Sequence, residues 1–303
     1  MKKLLTLALA AAAVVTLRAQ AQPDTMTAKE KANLQHVRNW WLECLEGRNL
    51  EATAKYQADS YIQHNINFPT GRAGFMKIFG ERFKAAGGPV IPPPKDFANP
   101  PVVQFAKGDF VVLVWEREGK DPADPSKTYK FNTYDLLRIE NGKVAEHWDY
   151  AQLAKGTPRG GAPDGTDYDN VKFNFSPQEK KNLEIATVEF KDILQYGHTE
   201  LAEKVMAPTY IQHNPNVPTG RAAFVEFFSR IRKPEPIQAG WKNKPTLMFV
   251  SGPYVFVLVK QALKDPNDPT QTYPAYWFDM VRVDNGMIQE HWDAATKTPP
   301  GPR

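Results

Sequence analysis

Two short segments carry the residues best suited to chemistry: Glu146-His147-Trp148-Asp149 and Glu290-His291-Trp292-Asp293. On an extended chain, alternate side chains share a face. His147 therefore lies on the side of Asp149, and His291 on that of Asp293. An imidazole beside a carboxylate is the minimum apparatus for moving a proton near neutral pH. Of six histidines, two more recur at matched places, His64 and His213. Asp135 and Asp279 recur as well, each inside an otherwise apolar run. A carboxylate there is costly to bury unpaired, and burial raises its pKa.

Plainer readings stand beside these. His-x-Asp at a strand end can be a hydrogen-bonded surface pair, and His64 and His213 can be satisfied core histidines. Set as a two-histidine, one-carboxylate triad, His64, His147 and Asp149 would suit a metal-dependent hydrolase. No segment has a tight ligand spacing such as His-Glu-x-x-His, so no metal is expected. Asp121, Asp124, Asp265 and Asp268 sit beside prolines and read as turn chemistry. There is no Gly-rich phosphate loop, Gly-x-Ser-x-Gly elbow or cysteine pair.

The elements that must position these residues come in two copies. The stretch Tyr61–Phe75 recurs as Tyr210–Phe224, identical at twelve of fifteen positions and offset by 149. A period that long means tandem domains rather than a solenoid. The expected division is a leader over 1–21, a first domain over 24–150, a Gly/Pro-rich linker over 151–175, a second domain over 176–294 and a polar tail over 295–303. Each copy opens on a capping box, Thr27-x-x-Glu30 and Ser176-x-x-Glu179. The first helices are expected to stop near Gly47 and Gly197, with short helices after them. Tyr-Ile-Gln-His-Asn then reads as a strand, Pro-Thr-Gly as a turn, and a third helix starts at Gly71 and Gly220. Four strands follow, at 102–106, 110–118, 128–139 and 143–150, with counterparts at 246–250, 254–263, 272–283 and 287–294. Asn141-Gly142 and Asn285-Gly286 are hairpin signals. The class is α+β, three helices and an antiparallel meander per copy. The strands are apolar on both faces, so the outer face needs a cover. Packing of the two copies sheet to sheet as a pseudo-dimer within one chain would supply it, and so would a homo-oligomer.

Composition narrows the setting. The 303 residues are 42% hydrophobic, enough for real cores. Residues 1–21 read as a cleavable signal peptide: Lys2-Lys3, the apolar run Leu4–Leu17, and Ala19-Gln20-Ala21. The formal net charge is +4, and Lys2, Lys3 and Arg18 all lie in that leader. The mature chain is thus nearly neutral, with no electrostatic case for nucleic acid. The expectation is a periplasmic or secreted protein that leaves the membrane on cleavage. Cys44 is the one cysteine, so no intrachain disulfide can form, and it reads as a small buried hydrophobe.

The order helix, helix, Tyr-Ile-Gln-His-Asn, Gly-Arg helix, meander, Glu-His-Trp-Asp is similar to the SnoaL-like, polyketide-cyclase-like family of the nuclear transport factor 2-like superfamily. The resemblance covers nearly all of both copies. It implies two cone-shaped α+β barrels, each a curved sheet round helices with a pocket inside. It also implies aldol condensation or isomerisation without cofactor or metal, on a small hydrophobic oxygenated molecule. By resemblance Asp149 and Asp293 are the bases, and His147, His291, His64 and His213 the proton partners. Asn65, Asn214, Arg72 and Arg221 would orient substrate oxygens. Tyr61, Tyr210, Trp115, Asp135 and Asp279 complete the expected pocket. The alternative on the same fold is a module that binds a small molecule or protein without turnover.

Overall fold

The computed structural model describes Pro23, residues 25–161 and residues 168–299. The expected leader lies outside the described residues, as do parts of the linker and tail. No helix among the described residues is long and apolar enough to cross a membrane.

In the first module α1 (Ala28–Trp40) starts on the expected capping box, with Thr27 Oγ1 accepting from the Glu30 amide. The helix does not run straight to Gly47. It widens into a π-helical turn over Trp41–Glu46. Such turns are rare and often mark functional sites. Here Trp40 and Trp41, neighbours in the chain, both make ring contacts inside the module. A 3₁₀ turn (Leu50–Ala52) and α2 (Thr53–Tyr56) lead into β1 (Gln57–Gln63). Gly71 follows at φ 84°, which admits a glycine at little cost, and its amide bonds the Tyr61 carbonyl. That reversal launches α3 (Arg72–Ala86), which buries Phe75. Then come β2 (Val103–Lys107), β3 (Phe110–Lys120), β4 (Thr128–Glu140) and β5 (Lys143–Asp149). The second module repeats this as α4 (Pro177–Thr187), α5 (Ala202–Val205), β6 (Met206–Gln212), α6 (Arg221–Ile231) and β7 (Leu247–Ser251). It closes with β8 (Tyr254–Lys264), β9 (Thr272–Asp284) and β10 (Met287–Asp293).

Each module forms one five-stranded sheet, ordered β1-β5-β4-β3-β2 and β6-β10-β9-β8-β7. The meander is antiparallel as expected, but the sheets are mixed. β1 runs parallel to β5, and β6 to β10. Parallel neighbours need a long crossover, here α3 and the rest of the meander. The register sets Gln63 beside His147 and Asp135 opposite Asp149. It thereby gathers Tyr61, Gln63, Asp135, His147 and Asp149 on the face under the helices.

The opposite faces of the two sheets touch each other. Tyr134 stacks on Phe278 with ring centroids 5.3 Å apart, and Phe110 meets Phe249 at 6.0 Å. One buried cluster runs from Val112 and Leu136 through to Phe256 and Met280. This explains strands that are apolar on both faces, and each ring pair adds about 0.5–1.5 kcal/mol beyond its burial. Lys107 Nζ bonds Glu179 Oε1 across the modules at 2.8 Å, both side chains buried.

The described part of the Gly/Pro-rich segment touches both modules, the Gly160 amide bonding the Ile66 carbonyl at 2.6 Å. The Leu153 amide bonds the Tyr273 hydroxyl at 3.0 Å, and Arg159 pairs with Asp265 at 2.6 Å. Lys297 reaches back to Asp121 at 2.5 Å. The Asp-Pro loops are therefore turns whose carboxylates accept from backbone amides, with Lys297 on Asp121 and Arg159 on Asp265. Cys44 is free and buried, and burial pushes its thiol up to about 12.

Candidate active site

The first module builds its site from four strands and one helix. His147 Nε2 lies 2.7 Å from Asp135 Oδ1. The other oxygen of Asp135 accepts from the indole N–H of Trp115 at 2.6 Å. On the far side of the ring, Nδ1 lies 3.1 Å from the Tyr61 hydroxyl and 3.1 Å from the Gln63 amide. The Gln63 oxygen accepts the Asn65 backbone N–H, which points its NH₂ at the imidazole. Nδ1 of the neutral ring is therefore an acceptor, and the proton sits on Nε2 toward Asp135. Trp40 meets the ring edge-on at 6.4 Å.

Burial works against a charge on His147. The hydrogen bond and charge of Asp135, with the charge of Asp149, outweigh it and raise the imidazole above its usual value. Asp149 has the opposite problem. Burial disfavours its anion, the His147 charge favours it, and Asp135 repels it, leaving the carboxyl up at about 6. Asn65 Nδ2 donates to Asp149 Oδ1 at 2.5 Å and fixes its orientation. The result is a carboxyl raised to about 6, so mostly ionised but still basic at neutral pH, next to an imidazole raised above its usual value, which is the arrangement a general base needs.

The second module keeps the plan and changes two neighbours. Asn214 Nδ2 donates to Asp293 Oδ2 at 2.7 Å, and burial again raises that carboxyl to about 6. His291 Nε2 faces Asp279 Oδ1 at 3.3 Å. Its Nδ1 faces Glu189 Oε1 at 2.8 Å, where the first module offers only neutral partners. Glu189 is the 149-offset counterpart of Trp40. With a carboxylate at each nitrogen both must carry protons. Burial opposes that charge, but Glu189 and Asp279 together hold His291 as an imidazolium well above the ordinary range. Val259 stands where the first module has Trp115. Each is two residues past the β3 or β8 position opposite the central aspartate.

The structure thus brings together Tyr61, Asn65, Trp115, Asp135, His147 and Asp149 as expected, and Tyr210, Asn214, Asp279, His291 and Asp293 with them. Two expectations are corrected. His64 and His213 are on the opposite face of the sheet. His64 Nε2 bonds Glu146 at 2.9 Å and the ring stacks on Trp148 at 4.5 Å, while burial lowers its pKa. His213 repeats this with Glu290 at 3.0 Å and Trp292 at 4.6 Å. Arg138 and Arg282 hold those glutamates. Strand alternation is the reason: neighbours of the His-x-Asp pair point away from it. His64 accordingly bonds Glu146 instead of Asp149, and among the described residues it is not grouped with His147 and Asp149 closely enough to share a metal ion. The second correction concerns Arg72 and Arg221. They bond the backbone carbonyls of Gln57 and Met206, each at 3.1 Å, and Arg72 also pairs with Asp59. They anchor the start of each edge strand instead of facing a ligand.

Among the described residues, those with ligand atoms close enough to share a metal ion are Asp135, His147 and Asp149, or Asp279, His291 and Asp293. In each trio the imidazole is hydrogen-bonded to a carboxylate, as an acid–base pair would be. Sequence reasoning missed Glu189, Trp40 and Gln63. Carrying the 149 offset back into the first helix would have shown the Trp40-to-Glu189 exchange.

Residues 35–156 match the model of the SnoaL-like polyketide cyclase family. No curated protein matches the chain. Among solved structures, an LEH-like epoxide hydrolase of M. tuberculosis is 15% identical, covering 39% of this chain and 84% of its own, at a TM-score of 0.29. An NTF2-like protein of Mesorhizobium loti is 19% identical over 41% of this chain and 98% of its own, at 0.30. TsrD of Streptomyces laurentii is 14% identical over 40% and 90%, at 0.27. Similarity at this level says nothing about chemistry.

Proposed function

We propose, for a chain whose first module matches the SnoaL-like polyketide cyclase model and whose second repeats it, cofactor-independent acid–base chemistry on a small hydrophobic oxygenated molecule. The reaction class is proton abstraction next to a carbonyl, as in an aldol closure or an isomerisation. Asp149 and Asp293 take the proton, and Asn65 and Asn214 aim them. The imidazoles of His147 and His291 supply the compensating positive charge, steadied by Asp135 and Asp279.

One observation carries this reading: a carboxyl raised to about 6 beside a carboxylate-backed imidazole, built twice from the same positions. Groups displaced toward the working pH cluster at sites that transfer protons. A buried structural carboxylate would be expected to have a full set of donors that lower its pKa.

The test is deuterium exchange from solvent into the α-carbon of a panel of aryl ketones and 1,3-diketones, followed by NMR. Wild type should exchange at least one of them with a rate limb near pH 6. Asp149→Asn combined with Asp293→Asn should remove the exchange with circular dichroism unchanged. Exchange that survives the double substitution refutes the base assignment.

A further inference from the structure

The two modules differ at one point where a side chain in the first takes the place of open space in the second. In the first module the Trp115 ring lies against Trp41 at 4.8 Å and Phe97 at 5.3 Å, with the Arg117 guanidinium 5.1 Å from it. The ring is 2% exposed, and its N–H satisfies Asp135. In the second module Val259 holds that position. A cavity of about 350 Å³ lies beside it, lined by Phe190, Trp241, Gln261 and Asp279 among others. Phe190, Trp241 and Gln261 are the counterparts of Trp41, Phe97 and Arg117. The aromatic cradle has been kept while the ring it would hold is absent. Asp279, unlike Asp135, accepts from one side chain among the described residues, His291. Asp279 is partly exposed and lines the cavity, so its second oxygen can accept from a donor that enters it.

We infer that the second module binds a flat aromatic molecule carrying one N–H or O–H donor, indole-sized, which sits between Phe190 and Trp241 and donates to Asp279, and that Trp115 fills the same place in the first module with the chain's own side chain. That part of the first pocket is thereby filled, and residue 259 sets what enters the same part of the second. A cavity of this size is at the small end of ligand sites, which run from about 300 to 1,000 Å³. The inference deepens the function proposed above but borrows from it only the location of the site, since binding needs no turnover.

Indole, with benzofuran as the same-shaped molecule lacking the N–H, tests this on the full chain by titration calorimetry. Wild type should bind one indole per chain. Benzofuran should bind at least tenfold more weakly, as loss of a hydrogen bond to a charged group predicts. Val259→Trp should abolish binding, and Val259→Phe should weaken it in step with the space lost. Trp115→Val should raise the stoichiometry to two. No indole binding by wild type, equal affinity for indole and benzofuran, or an undiminished site in folded Val259→Trp would each overturn the inference. Wild type alone decides the first two, whatever the variants do. Tight, selective binding without ketone exchange would leave this inference standing and remove the catalytic reading. Exchange activity in a protein that treats indole and benzofuran alike would do the reverse.

Discussion

Replacing the base should make the protein more stable, by an amount that depends on pH in a known direction. Burial holds Asp149 at about 6, against 3.8 for a carboxyl free of the fold. The folded state therefore binds more protons than the unfolded chain between those values, and stability falls as pH rises through that window. Above pH 6 the full cost of the buried anion is present. Two pKa units correspond to about 3 kcal/mol, and the half-buried position brings the expectation down to between about 1 and 3 kcal/mol. Asp149→Asn removes the ionisation but keeps an oxygen for the Asn65 amide, so the hydrogen bond at that position survives. The variant should match wild type near pH 4 and exceed it at pH 7.5. The assay is urea unfolding at both values, read by tryptophan fluorescence. Asp124 is an internal control, because the Ser126 hydroxyl and Lys127 hold its pKa low. Asp124→Asn should show the opposite slope, losing stability relative to wild type as pH rises. If Asp149→Asn is less stable than wild type at pH 7.5, the carboxylate is a structural partner and the reasoning fails.

Two further outcomes follow from the same geometry. Glu189→Gln takes one of the two carboxylates from His291 and should move its titration midpoint down toward the ordinary imidazole range, leaving His147 unmoved; an unchanged His291 in a ring-proton NMR titration would show that Glu189 does not hold the charge. We also propose, from the basic start, apolar run and Ala-Gln-Ala of residues 1–21, that the chain is exported and cleaved after Ala21, which predicts a mature N-terminus at Gln22 by Edman sequencing and not an intact Met1.

Local signals in this chain were legible in the sequence because each depends on neighbours. Thr27 with Glu30 and Ser176 with Glu179 form the capping boxes their spacing implies. Asn141-Gly142 and Asn285-Gly286 take positive φ in tight turns, as that dipeptide allows. His147 and Asp149 share a face because a strand alternates. The rest needed partners the chain supplies from far away. Alternation alone could not say that β1 adds parallel to β5, and that register, with Gln63 beside His147, is what turns His64 to the other side. Asp135 could be recognised as a carboxylate in need of a partner. That the partners are His147 on the next strand and Trp115 on the previous one is a property of the sheet.

The repeat also misleads in a specific way. Similarity between the copies is densest at Tyr61–Phe75 and Glu146–Asp149, which makes the two sites look equivalent. Their differences are at Trp40 against Glu189 and Trp115 against Val259, residues in unremarkable runs of helix and strand. Glu189 is 102 positions from the histidine whose charge it holds, so nothing local marks it. Yet these two exchanges alter the charge on the imidazole and the space beside the carboxylate, the two quantities that decide what a proton-transfer site can do. A duplicated chain can keep its sheet, turns and acid–base residues in both halves while dividing the work, because one ring in the first module supplies both the packing and the donor that the second leaves for a ligand.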